Sequence, residues 1–220
     1  MKKNLLIYSM AVVVALVFAS CGGSKKNDNK NNTDSTQQES ATIKNLKDAS
    51  VGETTASTKY AEFAKKAKEE GYLSIAKMFE ATSKSESIHA QNHLKVLEGL
   101  GVTFEPKADT FSIGTTLENL TAALEGETYE VETMYADFIK QAEVDKEDKA
   151  VQTFTYAIDT EKKHIKLYQS AIDAVNADKE KSLAAEYYVC PKCGFTYDKN
   201  DVKENCELCG TSKEKFYVIE

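Results

Sequence analysis

The chain has 220 residues, room for one large domain or two small ones, with 29% charged residues and a formal net charge of -7. That balance argues against a nucleic-acid surface, which needs clustered Lys and Arg, and suits a protein that collects cations. Two Pro, no Trp and an abundance of Ala, Glu, Lys and Leu between residues 43 and 180 predict long uninterrupted helices, with strands expected only near the C-terminus.

Lys2 and Lys3 precede an apolar run from Leu5 to Phe18 that ends in Ala19 and Ser20 before Cys21. This is the layout of a cleaved secretory signal over residues 1–20, and the run is short for a membrane span. Phe18-Ala19-Ser20-Cys21 resembles a bacterial lipobox, which implies a lipidated Cys21 as mature N-terminus; the alternative is an uncleaved N-terminal anchor. Both place the remainder outside the cytoplasm, held to a membrane of the bacterial envelope. The Asn-, Ser-, Lys- and Asp-rich segment that follows has too little apolar surface to fold and is expected to be a flexible tether over residues 21–42.

Apolar and small residues then recur at helical spacing. The first predicted helix runs from about Leu46 to Glu70 and stops at Gly71, and the second from about Leu73 to Leu97, before Gly99 and Gly101. Pro106 sits in a long crossover. A third helix is expected from about Thr116 to Ala142 and a fourth from Asp148 to Val175, making a bundle over residues 43–180.

The two halves of this bundle repeat one another. Gly52-Glu53-Thr54 matches Gly126-Glu127-Thr128 at an offset of 74, whereas Tyr60 and Tyr135, Glu86 and Glu161, and His89 and His164 match at an offset of 75. One residue has been added between Glu127 and Tyr135. Inside a continuous helix such an insertion is absorbed as a π-bulge, a feature frequent at functional sites, and one is predicted near Glu130.

Side chains three apart share a helix face, so Glu86 with His89 and Glu161 with His164 each offer an oxygen and a nitrogen in one direction. A single Glu-x-x-His is weak evidence, being common on solvated faces. Glu53 and Glu127 complete the set expected of a two-metal carboxylate bundle, one Glu from each of two helices plus Glu-x-x-His from the other two. Glu130 adds a further carboxylate. So many buried acids need a cation, and hard carboxylates with one imidazole per ion suit iron or manganese better than zinc. Tyr60 and Tyr135 either hydrogen-bond the ligating carboxylates or donate protons near the site, or are plain core residues. His93, one turn beyond His89, is read as a packed or surface residue rather than a ligand.

Near the C-terminus, Cys190-Pro191-Lys192-Cys193-Gly194 and Cys206-Glu207-Leu208-Cys209-Gly210 form two C-x-x-C-G knuckles, the pattern of a tetrahedral thiolate site rather than of disulfides. So short a segment has little core of its own, and the metal must contribute much of its folding energy. Tyr188, Phe195, Tyr197, Phe216 and Tyr217 are expected to fill that core. Zinc and iron both fit the spacing.

Taken together, Gly52-Glu53 with Tyr60, Glu86-Ser87-Ile88-His89, Gly126-Glu127-Thr128-Tyr129-Glu130 with Tyr135, Glu161-Lys162-Lys163-His164 and the two knuckles resemble the rubrerythrin family from about residue 43 to the end. The resemblance implies a mainly α protein, a ferritin-like four-helix bundle followed by a small rubredoxin-like, zinc-ribbon-type β domain over residues 184–220. It implies Glu53, Glu86, His89, Glu127, Glu130, Glu161 and His164 as ligands of an oxo- and carboxylate-bridged di-iron centre. Cys190, Cys193, Cys206 and Cys209 would hold one mononuclear iron, a context that favours iron over zinc. The implied activity is a non-haem peroxidase that reduces hydrogen peroxide to water in oxidative-stress defence, with electrons relayed through the thiolate iron. One iron would move between Glu130 and His89 with oxidation state, and a head-to-tail homodimer would set one subunit's thiolate centre beside its partner's di-iron site. The family is typically cytoplasmic and commonly carries Trp in its rubredoxin part, so the lipobox leaves the electron donor unnamed. Competing readings are a ferroxidase or iron-handling protein and a non-enzymatic envelope protein with a structural zinc ribbon.

Overall fold

The computed structural model describes residues 39–220; the signal, Cys21 and the tether up to residue 38 lie outside the described residues. Helix α1 (Ala41–Glu69) is capped by Ser40, whose hydroxyl accepts from the Ile43 amide. Thr42 donates through its amide and its hydroxyl to Asp145, 103 residues away. Ala41 and Thr42, assigned to the tether from sequence, are therefore helical, held by a tertiary contact that composition does not announce.

Gly71, at φ +88°, turns the chain into α2 (Leu73–Gly99). Residues 100–115 then cross over to α3 (Thr116–Tyr129), which opens on a reciprocal capping box between Thr115 and Glu118. A π-helical segment (Glu130–Met134) joins α3 to α4 (Tyr135–Asp145), and the amide of Tyr135 bonds back five residues to the Glu130 carbonyl. The bulge lies where the repeat slips by one residue. A regular helix would turn Tyr135 by about 100° away from the face that Glu127 occupies, and the π turn cancels that rotation. Lys146, left-handed at φ 59°, leads into α5 (Asp148–Asn176).

Two apolar clusters fill the bundle. One gathers Tyr60, Phe63, Phe79, Leu120 and Tyr168, the other Leu46, Leu97, Tyr135, Ala142 and Phe154. On α1 and α5 the glutamate or Glu-x-x-His pair falls between residues of the two clusters, and Glu127 falls between Ala123 of one and Tyr135 of the other, so the carboxylates form a polar layer with apolar packing on both sides. Among the described residues no helix is long and apolar enough to cross a membrane.

The C-terminal unit is a three-stranded antiparallel sheet of order β2-β1-β3, with β1 (Tyr187–Val189), β2 (Thr196–Asp198) and β3 (Tyr217–Ile219). Alternation along β1 turns Tyr187 and Val189 into the bundle's apolar cluster. Tyr197 and Phe216 stack beside the cysteines at a centroid distance of 5.8 Å, with Tyr188 and Phe195 partly buried against them. Tyr217 departs from expectation. It is 44% exposed and lies under the Lys84 ammonium, 4.1 Å from its ring centroid, because its strand position points away from the cysteines.

Candidate metal centres

Glu53 on α1, Glu86 and His89 on α2, Glu127 on α3, and Glu161 and His164 on α5 are all buried and converge on the polar layer. Their ligand atoms fall into two sets, Glu53, Glu86, His89 and Glu161 in one, Glu86, Glu127, Glu161 and His164 in the other, with all atoms of a set within 4.8 Å of one another. Glu86 and Glu161 belong to both. Glu86 turns Oε2 to His89 Nδ1 at 3.1 Å and Oε1 to His164 Nδ1 at 3.2 Å. Glu161 turns Oε1 to His89 Nδ1 at 2.9 Å and Oε2 to His164 Nδ1 at 2.7 Å. That is the disposition of two carboxylates bridging a pair of cations, with Glu53 and Glu127 as the outer ligands.

The chemistry of these atoms fits such cations. Nine buried side-chain polar atoms among the described residues have no hydrogen-bond partner; all but Thr116 Oγ1 belong to Glu53, Glu86, His89, Glu127, Glu161 and His164. The far nitrogen of each imidazole is already engaged. His89 Nε2–H donates to the Cys193 carbonyl at 3.0 Å, and His164 Nε2–H donates to the Thr196 hydroxyl at 3.0 Å. A carbonyl only accepts, so the proton of neutral His89 sits on Nε2 and its Nδ1 presents a lone pair to carboxylate lone pairs. Shared cations convert that repulsion into ligation. Glu130, on the π segment, is half-buried and stands outside both sets. Burial, reinforced by Glu53, Glu127, Glu161 and Glu86, pushes its carboxyl well above the usual range.

Tyr60 donates to Glu127 Oε1 at 2.8 Å, and Tyr135 donates to Glu53 Oε1. Each tyrosine thus supports the outer carboxylate of the opposite half of the repeat. Burial and the neighbouring carboxylates raise both phenols, which remain donors. His93 is buried and outside both ligand sets; Nε2 lies 3.0 Å from the Tyr135 hydroxyl and Nδ1 3.0 Å from that of Thr153. Burial, with His89 nearby, pushes it down to about 3, so it is a neutral imidazole.

The four cysteine sulfurs also lie within 4.8 Å of one another. Cys190 and Cys209 are 3.4 Å apart and Cys193 and Cys206 3.5 Å, far from a disulfide and close to the edge, roughly 3.8 Å, of a tetrahedron with ~2.3 Å metal–sulfur bonds. Contact with the Cys190 and Cys206 sulfurs holds the Cys193 thiol up, the behaviour of thiolates crowded without a cation between them. The first knuckle is docked onto the bundle. Besides the two histidines, Ser85 donates to the Gly194 carbonyl at 2.8 Å and Asn92 to the Lys192 carbonyl at 2.9 Å.

Residues 44–172 match the model of the Rubrerythrin family. The chain belongs to the rubrerythrin family. It is 35% identical to Rubrerythrin-2 of Clostridium acetobutylicum over 79% of this chain and 94% of that one, and 37% identical to Nigerythrin of Nitratidesulfovibrio vulgaris over 80% and 85%. Solved structures of nigerythrin in its mixed-valent and its fully reduced, all-ferrous states superpose with a TM-score of 0.74 at 33% and 32% identity, covering 84% of this chain and 90% of theirs.

Within this rubrerythrin-type bundle, sequence reasoning missed Ser85, Asn92, Thr153 and Thr196. No signal marks them in one sequence, because their partners lie on other elements. His93 carried a signal, since it lies four residues, one helical turn, past His89 on the inner face.

Without metal the cluster holds protons. Burial and the adjoining carboxylates raise Glu53 and push Glu127 up to about 8 from its ordinary 4.5. Burial alone would lower His89 and His164, but the surrounding glutamates outweigh it and raise both. Between those limits the native metal-free chain binds more protons than the unfolded one, so its stability is expected to fall as pH rises from about 5 to about 8. Cations displace the protons, so affinity should strengthen over the same interval. Melting curves of stripped and loaded protein across it should separate progressively as pH rises; parallel curves would contradict the assignment.

Proposed function

We propose that the protein is a non-haem di-iron peroxidase of oxidative-stress defence, reducing hydrogen peroxide to water with electrons relayed through a thiolate-bound iron. The observation that carries this reading is the bond from His89 Nε2–H to the Cys193 carbonyl. It joins a side chain of the carboxylate cluster to a residue of the four-cysteine site, the closeness that passage of electrons between the two would need.

When bound by Glu53, Glu86, His89, Glu127, Glu161 and His164, the iron pair would supply the two electrons that peroxide takes up. The chain supplies the rest. Glu86 and Glu161, which belong to both ligand sets, would hold the two ions between them, and Glu130 adds a carboxylate beside the sets. Tyr60 and Tyr135 hold Glu127 and Glu53 in place through the hydrogen bonds that their hydroxyls donate. The apolar clusters on either side exclude bulk water. From Cys193 Sγ a route through its carbonyl and the His89 ring reaches Nδ1, which favours iron, a redox metal, in the cysteine site.

The test is anaerobic mixing of the reduced full chain with either hydrogen peroxide or dioxygen, followed by visible absorption. Oxidation by peroxide is expected to be faster by about tenfold or more, with two irons in the bundle and one on the cysteines. Equal rates, or uptake of much more iron, would favour the ferroxidase reading; zinc alone on the cysteines would remove the relay.

Two further parts of the proposal concern assembly and address. The knuckle that meets His89 belongs to the same chain here. A head-to-tail dimer that exchanges C-terminal units would reuse the same contacts between copies, as light scattering would reveal. Lipidation of Cys21 would hold the enzyme on the outer side of a membrane of the envelope, where its electron donor must also act; Cys21→Ser should abolish fatty-acid labelling.

A further inference from the structure

The two halves of the repeat treat their tyrosines differently. At the Glu127 end, Tyr60 packs edge-on against Tyr168 at 5.8 Å, and Tyr168 turns its hydroxyl away to Thr82, which donates onward to the Phe79 carbonyl. That branch ends on buried backbone. At the Glu53 end the residue in Tyr168's repeat position is His93 (168 − 93 = 75, the offset of the repeat), and it bonds Tyr135 directly.

The direction of each bond follows from its neighbour. As a ligand, Glu53 is ionised and only accepts, so Tyr135 spends its single proton on Glu53. His93 must then donate Nε2–H to the Tyr135 oxygen, which leaves Nδ1 to accept from the Thr153 hydroxyl. All three donors point inward. Thr153 in turn lines a surface pocket of about 340 Å³ with Asn92, Lys95, Lys149, Tyr156 and Lys192, and those three lysines are exposed. A file of three hydrogen bonds therefore runs from a residue of the pocket wall to an outer carboxylate of the cluster.

We propose that Thr153, His93 and Tyr135 form a proton-delivery path from this pocket to Glu53. The proposal rests on peroxide reduction as the proton-consuming reaction, in which hydrogen peroxide, two electrons and two protons give two waters. In one pass hydronium or a buffer acid at the pocket gives a proton to Thr153 Oγ1 and returns to solvent as water or the buffer base, while the hydroxyl's own proton moves to His93 Nδ1. The His93 Nε2 proton moves to the Tyr135 oxygen, and the Tyr135 proton moves to Glu53. One proton enters and one is delivered; only O–H and N–H bonds change, and no electron moves along the path. The hydroxyls must turn and the imidazole must return to its Nε2–H tautomer before the next pass, so each turnover takes two passes. His93 and Thr153 act through Tyr135 and touch no substrate.

The test uses the full chain in two states. In protein loaded with redox-inert zinc, nitrogen NMR of the histidine rings is expected to show His93 as the Nε2–H tautomer, with that proton exchanging about tenfold more slowly in Thr153→Val than in wild type or Thr153→Ser. In the iron-loaded, reduced protein, Thr153→Val and His93→Leu should slow oxidation by peroxide about tenfold and alter its solvent isotope effect, whereas Thr153→Ser restores it and Thr82→Val, on the closed branch, leaves it unchanged. An Nδ1–H tautomer, unchanged exchange in Thr153→Val, or equal losses in Thr82→Val and Thr153→Val would overturn the path. Failure of the wild type to react with peroxide would count against the peroxidase reading alone, since the zinc-loaded measurement does not depend on it.

Discussion

Glu161→Gln is expected to empty both metal positions of the bundle at once, whereas Glu53→Gln or Glu127→Gln should empty one. The distinction comes from the division of oxygens: Glu161 gives Oε1 to the His89 side and Oε2 to the His164 side, while Glu53 and Glu127 each serve a single set. An amide carries no charge and offers one acceptor oxygen and an NH2 donor, so it cannot bridge two cations. Affinity at both positions should fall by more than about a hundredfold, beyond the 10–100-fold typical of losing an outer partner. The four-cysteine site, with its own ligands, should keep its metal. The stripped protein should also lose stability, because the buried imidazoles of His89 and His164 hold the Glu161 carboxyl below its usual range and lose that counter-charge in the amide. Metal analysis and melting of loaded and stripped variants together decide the matter; one bundle metal retained at wild-type affinity in Glu161→Gln would overturn the shared-ligand assignment.

The candidate ligands that the structure brings together were legible in the sequence because the chain states them twice. Glu86 with His89 carries little weight until Glu161 with His164 appears at the same offset, and the change from 74 to 75 between Glu127 and Tyr135 locates the π segment at Glu130. The knuckle spacing was equally plain, since thiolates that share one metal must be near one another along the chain or be brought together by a turn. What stayed hidden depends on tertiary placement. The helical first turn at Ala41 and Thr42 hangs on Asp145, and strand register pairs Tyr217 with Val189, on the bundle-side face against Lys84 and away from the cysteines. Docking of the knuckle onto α2 and α5 uses Ser85, Asn92 and Thr196, residue types found on any surface. His93 is packed, one of the two placements expected of it, but its two hydrogen bonds join three helices that no local pattern relates.

The same docking makes Gly194→Ala the most damaging change outside the ligands. Gly194 has φ +82°, and a Cβ there would lie 2.4 Å from His89 Nε2 and 2.8 Å from Ser85 Oγ. His89 cannot yield, since Nδ1 faces the carboxylates and Nε2 bonds Cys193; the knuckle must retreat instead, breaking the bonds that join the two units. Gly210, at φ +73° in the second knuckle, has nothing within 4 Å of its Cβ position and so serves as the control. Both substitutions place an L-residue in the left-handed region at about 1–2 kcal/mol, but only Gly194→Ala adds the collision. Iron content should stay the same in both variants, as should the thiolate absorption. Electron passage from the thiolate iron to the bundle, followed by rapid mixing, is expected to slow by more than about tenfold in Gly194→Ala alone, a barrier increase above 1.36 kcal/mol. Equal slowing in Gly210→Ala would mean that strain in the thiolate site, rather than its seat against His89, limits the transfer.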